Sequence, residues 1–284
     1  MFSFIKWTGS KRNQANWIIS KFPNFSGNYI EMFLGSGIVM LTYLKNNPKI
    51  KCIGNDLCYP LVELWKKCRD NPKELINDYK NMWTEFNSKD INYRKTYFNQ
   101  IRKEFNDDKS KSSHFLFLTR TSINGLVRFN SKGNYNSTAH FSRPGINPNE
   151  LNDIIAECSQ LIQNVEFTNK SYEQLKISEN DFCYMDPPYA FTTNNMYMGG
   201  IDNEKYYEYV RKMPCKWLMS YDGIVNGQTV YELPKDIYKN KWLSKLVLSS
   251  SQNTYSNKLD RYVQESLYSN YDAEIDKIQN IDDF

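Results

Sequence analysis

Histidine is scarce in this sequence: His114 and His140 are the only two. A triad built on imidazole, or a histidine-ligated metal site, is therefore poorly supplied. The six cysteines, Cys52, Cys58, Cys68, Cys158, Cys183 and Cys215, form no CxxC pair and stand at no metal-ligand spacing with either histidine. The chain has 284 residues and opens with MFSFIKW, which has no signal-peptide pattern. Free thiols in a reducing cytoplasm are expected, not a disulfide framework. No apolar run is long enough to cross a membrane, and no internal repeat is visible. Charge of one sign is not in large excess either: the net charge of +4 is compatible with an anionic partner and proves none.

The balance of 40% hydrophobic and 24% charged residues is that of an ordinary globular chain able to bury a substantial core. Aromatic residues are abundant, at 15%. Rings serve cores first, and they also stack on bases.

Along the chain, Asn13–Lys21 reads as a helix, Asn28–Phe33 as a strand, Gly35-Ser36-Gly37 as a turn, Ile38–Leu44 as a helix and Lys51–Gly54 as a strand. Such a βαβ unit predicts a parallel sheet. Leu61–Arg69, Pro72–Phe86, Asn92–Phe105 and His114–Thr121 read as helices, and Ser122–Pro148 as irregular or a hairpin. The α/β rhythm then returns, with helix Asn149–Ile162, strand Val165–Thr168, a short helix Tyr172–Leu175 and strand Phe182–Met185. Thr192–Asn203 reads as a mobile loop, Glu204–Met213 as a helix and Trp217–Ser220 as a strand. Leu243–Ser250 and Tyr262–Tyr268 read as a closing strand pair around the polar loop Gln252–Asp260.

Three segments carry chemistry. In EMFLGSG (31–37), glycines between strand and helix let the backbone approach a ligand. Met40 stands where the three-glycine dinucleotide pattern needs a small residue, so pyrophosphate binding is disfavoured and a nucleoside-type ligand still fits. Asp56 follows about 20 residues on, where an acid can accept hydrogen bonds from a ribose. A plain βα turn with an acidic cap also fits. In KWTGSK (6–11), Trp7 offers a flat face and Lys11 a charge for a carboxylate, although a core tryptophan beside a solvated lysine would look the same.

DPPY (186–189) ends the apolar strand. Two prolines stop a strand cheaply, but they explain neither the acid nor the ring. A conjugated exocyclic amine is a weak nucleophile, because its lone pair is shared with the ring. The Asp186 carboxylate and the Pro187 carbonyl can accept hydrogen bonds from such an amine and localise that pair. Tyr189 can stack on the base. Positioning suffices, so no metal is required. Finally, residues 101–145 carry eight cations against three anions, interleaved with Phe129, Tyr135 and Phe141. That composition suits phosphate and base contacts, or equally a solvated loop with its own small core.

KWTGSK, EMFLGSG, Asn55-Asp56, RTSINGLVRFNSKGNYN (120–136) and DPPY occur in this order. Together they resemble the Dam-like class of S-adenosylmethionine-dependent DNA adenine-N6 methyltransferases, over about residues 4 to 270. The resemblance implies an α/β fold: a seven-stranded class I methyltransferase (Rossmann-like) sheet with an inserted, mainly helical target-recognition domain. The catalytic domain would be 1–60 and 149–270, the insertion 61–148, and 271–284 an acidic tail. Trp7, Lys11, Asp56 and Asp186 would contact S-adenosylmethionine, with Phe33, Gly35 and Gly37 lining the same pocket. Asp186, Pro187 and Tyr189 would hold a flipped adenine. Asn124, Leu126, Arg128, Asn130 and Lys132 would meet double-stranded DNA.

The expected protein is a cytoplasmic monomer or weak dimer with no membrane association and no metal, and a cognate restriction endonuclease fits the class. Ser10 replaces a glycine of the family pattern, and Met32 a proline. Asn136–Gly145 lacks the Val-Pro-Phe-Gly-like run of members that read GATC, which leaves the target sequence open. Methylation of cytosine N4, an RNA base or a protein glutamine, and a catalytically silent DNA-binding protein, are the alternatives.

Overall fold

A computed structural model describes residues 1–189, 201–248 and 262–272. Ala15–Ile19 (α1), Tyr29–Glu31 (β1), Ile38–Asn46 (α2) and Cys52–Asn55 (β2) form the opening unit. Four helices follow: Tyr59–Asp70 (α3), Pro72–Phe86 (α4), Ile91–Asp107 (α5) and Ser112–Thr121 (α6). After residues 122–147 come Pro148–Leu161 (α7), Val165–Thr168 (β3), Phe182–Met185 (β4), Asn203–Arg211 (α8) and Lys216–Val225 (β5). Gln228–Thr229 (β6), Asn240–Leu243 (β7), Val247–Leu248 (β8) and Tyr262–Ser269 (β9) complete it. Local chemistry sets several boundaries. Asp90 accepts the Tyr93 N–H at the start of α5, and Asn147 caps α7 with Pro148 in its first turn.

Seven strands lie in the order β3-β2-β1-β4-β5-β9-β7, with β6 paired to β5 and β8 to β9. The strands β1 to β5 pair in parallel, and β9 runs antiparallel between β5 and β7. This is the expected class I methyltransferase sheet, extended by two short strands. Strands covered on both faces must be apolar throughout. In β4, Phe182 and Tyr184 join the core under α1, α2, α3 and α7, while Cys183 and Met185 join the opposite core under α8. The first core continues without a break through α4, α5 and α6, where Phe115, Leu116, Phe117 and Leu118 are all fully buried. All six cysteines are free and buried. Among the described residues no helix is long and apolar enough to cross a membrane.

The closing strands differ from the expected pair. Leu243–Ser250 is not one strand: β7 ends at Leu243, and β8 begins at Val247. Between them Ser244 turns its hydroxyl onto the ladder, and Ser244 Oγ accepts the Glu265 N–H at 2.9 Å. A serine hydroxyl competes with backbone carbonyls in this way, and it interrupts the strand. The expected loop Thr192–Asn203 lies largely outside the described residues, as do Gln252–Asp260 and most of the tail.

The chain leaves β1 towards β2 on one side, while β4 lies on the other, with Glu31 opposite Tyr184. Such a reversal of strand order opens a crevice at the carboxyl ends of the strands. The glycine turn after β1 and DPPY after β4 are thereby neighbours.

Candidate active site

The crevice holds a cavity of about 390 Å³. Trp7, Lys11, Phe33, Gly35, Asp56, Asp186, Pro187 and Tyr189 all line it. Residues assigned from four separate segments thus meet at one place. Gly37 is the exception. Its φ of +58° starts α2, and a Cβ there would lie 2.5 Å from the Trp65 ring. Its smallness admits a neighbouring tryptophan rather than a ligand.

The six residues of KWTGSK reach four other segments. The Lys6 stem lies across Gly125. Trp7 covers Gly35, whose φ is +47° and whose Cβ, if present, would stand 3.0 Å from the indole. Ser10 Oγ and Ser36 Oγ share a hydrogen bond of 2.9 Å, so the serine that departs from the family pattern ties this loop to the glycine turn. On the turn's other side, Trp65 donates its indole N–H to the Gly35 carbonyl at 3.3 Å.

Lys11 is almost fully buried. Its ammonium donates to the Tyr189 hydroxyl at 2.7 Å and lies 3.1 Å from both Asp186 Oδ1 and Glu265 Oε2. Burial alone would lower the Lys11 pKa, but the two carboxylates outweigh it and hold the lysine charged. Asp186 is pushed up to about 6, chiefly by burial, with Lys11 opposing and Glu265 adding to the rise. Its Oδ1 also lies 3.3 Å from the Tyr189 hydroxyl. The Tyr189 ring is tilted against Tyr221 at 5.4 Å.

Asp56 braces the turn. Oδ2 accepts the Gly35 N–H and Oδ1 the Cys58 N–H, each at 2.9 Å. Burial raises its pKa, and those two amides partly offset the rise. Each carboxylate oxygen keeps a further lone pair for a ligand. Asn55 beside it accepts from Thr168 and Lys170 and donates to the Met32 and Lys170 carbonyls, closing the strand ends together. Phe33 reaches the cavity wall with its ring edge-on to Tyr206.

Two carboxylates were missed as site residues. Glu31, at the end of β1, is buried and raised to about 8, first by burial and further by Asp186, while the Tyr29 hydroxyl donating at 2.7 Å opposes the rise. Its position at the strand end was the available signal. Glu265 stands alone in β9, and no motif marks it.

The segment after α6 forms a small hairpin, bridged at Ser122–Ala139 and Phe129–Tyr135. Alternation along it buries Val127 and Phe129, and Phe129 also lines the cavity. Arg128, Asn130 and Lys132 are exposed, and Leu126 is half-buried. Asn124 lies in the single helical turn Ile123–Gly125. The Asn130 Oδ1 accepts the Lys132 and Asn134 N–H groups at 3.0 Å, so part of this side chain shapes the turn. The neighbouring cations divide by role. Arg120 donates to the Ser3 and Phe4 carbonyls and Arg102 to the Ser137 carbonyl, which makes both structural clamps.

A family model described as D12 class N6 adenine-specific DNA methyltransferase matches residues 7–250. The chain is 28% identical over 293 residues to the Type II methyltransferase M.MjaIII of Methanocaldococcus jannaschii, covering 94% of this chain and 98% of that one. It is 24% identical over 284 residues to the Type II methyltransferase M1.LlaDCHI of Lactococcus lactis subsp. cremoris, covering 94% and 95%. Over 257 residues it is 26% identical to a DNA adenine methylase of Haemophilus influenzae, covering 86% and 78%.

Proposed function

Because the chain belongs to the D12 class of N6 adenine-specific DNA methyltransferases, we propose that it carries a methyl group from S-adenosylmethionine to N6 of an adenine flipped out of duplex DNA, within one short recognition sequence. The observation that carries this reading is the Lys11–Asp186–Tyr189 cluster facing the glycine turn across a single cavity.

The residues present fit the donor. Asp56, Asp186 and Glu265 line the cavity with one buried lysine, Lys11, which pairs with the last two, an acidic excess that suits a cationic sulfonium. Trp7, Lys11, Phe33, Asp56 and the Gly35 backbone would hold it. When bound, S-adenosylmethionine supplies an electrophilic methyl group.

The remaining chemistry belongs to the chain. The ionised Asp186 and the Pro187 carbonyl accept hydrogen bonds from the target amine and localise its lone pair, and Tyr189 stacks on the base. Residues 61–148 serve as the target-recognition part, with Leu126, Arg128 and Lys132 on its DNA face and Asn124 and Asn130 beside them. No metal enters the scheme, since orientation and a placed acceptor suffice. The Type II names of two relatives support a restriction-modification setting with a cognate endonuclease, and an enzyme of a family that acts on DNA would work beside it in the cytoplasm.

The deciding experiment incubates the protein with S-adenosylmethionine and unmethylated genomic DNA, followed by sequencing that detects modified adenine. N6-methyladenine confined to one short motif, absent with Asp186→Ala, is the expected result. A protein that binds the donor yet modifies no adenine overturns the reading.

A further inference from the structure

We propose that Glu265 is a positioning residue for methyl transfer: by sharing the Lys11 ammonium, it keeps Asp186 a strong acceptor for the target amine. The inference rests on the role given to Asp186 above.

An ammonium has three N–H donors. At Lys11 three side-chain oxygens stand within reach: Tyr189 Oη at 2.7 Å, Asp186 Oδ1 at 3.1 Å and Glu265 Oε2 at 3.1 Å. Two of them belong to DPPY. Glu265 is the one supplied by another element, β9, which the sheet inserts between β5 and β7. The Tyr189 hydroxyl joins the two acids, 3.3 Å from Asp186 Oδ1 and 3.5 Å from Glu265 Oε2.

A carboxylate that alone receives a buried lysine's charge is a weaker acceptor for anything else. Dividing that charge between two carboxylates restores acceptor strength to each. Glu265 is well fixed for this task. Its N–H donates to Ser244 Oγ and its carbonyl accepts the Ser244 N–H, both at 2.9 Å, at the point where β7 gives way to β8. The strand break seen in the fold thereby holds the acid in place.

The charged and titratable groups around Asp186 are Lys11, Glu265, Tyr189, Tyr184 and, across the end of β1, Glu31. Glu265 raises the Asp186 pKa against the pull of Lys11. Removing its charge lets Lys11 settle on Asp186 alone and lowers that pKa.

The test compares full-length wild type with Glu265→Gln, an isosteric change, in single-turnover methylation of duplex DNA across about pH 5 to 9. Glu265→Gln is expected to lose roughly tenfold in rate at neutral pH, the scale of one weakened charge-assisted hydrogen bond. Its acid limb should also move to lower pH. Glu265→Asp keeps the charge but loses reach, and should shift the limb the same way by less. It decides the matter if the glutamine variant does not fold. A limb that stays in place in the folded variants assigns Glu265 a purely structural role and overturns the inference. Wild type that transfers no methyl to DNA overturns the functional reading and this inference together, whereas active wild type matched by both variants overturns only the inference.

Discussion

The side chain of Lys6 lies across Gly125, so closely that a Cβ at that glycine would stand 2.4 Å from the lysine's Cγ. The loop that covers the glycine turn is thereby packed directly on the hairpin that follows α6. Gly125 also has a φ of +66°. Gly125→Ala should cost about 1–2 kcal/mol in backbone strain alone, and it should displace Lys6 and weaken DNA binding. Urea unfolding and a DNA titration measure the two effects. An alanine variant with native DNA affinity would show that the contact serves stability only.

Gly35 and Gly37 separate by consequence. Gly35→Ala places a methyl group against Trp7 at the cavity and should weaken donor binding, read as a higher dissociation constant in tryptophan fluorescence. Gly37→Ala drives a methyl group into Trp65, inside the core, and should lower the melting temperature even without ligand. If both variants lose stability equally and neither changes donor affinity, Gly35 has no place in the site.

Asp186 must be ionised to accept from the amine, and it is pushed up to about 6. Methylation by wild type should fall as pH drops through that value. Lys11→Met removes the cation that opposes the rise, so its acid limb should move to higher pH. It also leaves two carboxylates without their buried partner, at a cost on the order of 3–5 kcal/mol. Rate–pH profiles and denaturant unfolding give both quantities. A limb that stays near wild type in Lys11→Met would refute the pairing.

Glu31 is raised to about 8 from an ordinary 4.5, so the folded protein retains a proton there that the unfolded chain has already released. Stability from this group is full below the unfolded value and is lost as pH rises through the folded one. Glu31→Gln should therefore flatten the decline in melting temperature between those limits. An equally steep decline in the variant would place the pH dependence elsewhere.

Two arginines of the basic segment should respond differently. Arg128 is exposed on the hairpin, and Arg128→Ala should weaken DNA binding and reduce its salt dependence or relax its sequence preference. Arg120 clamps the Ser3 and Phe4 carbonyls, so Arg120→Ala should lower stability instead. Filter binding at several salt concentrations, beside thermal unfolding, distinguishes them. Loss of DNA affinity in Arg120→Ala alone would reverse the assignment.

Elements that are apolar throughout, such as Phe182–Met185, were legible in the sequence because a doubly covered strand has no other composition. The site segments were legible where several residues form a pattern. The packing of Gly37 on Trp65 was not legible, because a glycine that admits a ligand and one that admits a tryptophan ring look alike in sequence. The turn Asn226-Gly227, both residues at positive φ, joins β5 to β6 as a two-residue hairpin. That dipeptide signal was present and went unused. Glu265 was out of reach: a single acid in a strand of mixed polarity gains meaning only when β9 enters the sheet between β5 and β7.

The placement of β9 also bears on the order in which the protein is made. Lys11 leaves the ribosome early, and its partner Tyr189 lies 178 positions later. Glu265 emerges later still, on a strand that must slot between two others already synthesised. A nascent chain halted before β9 carries the glycine turn and DPPY but lacks the strand that completes the lysine's shell. The lysine's shell is thus completed only when β9 enters the sheet.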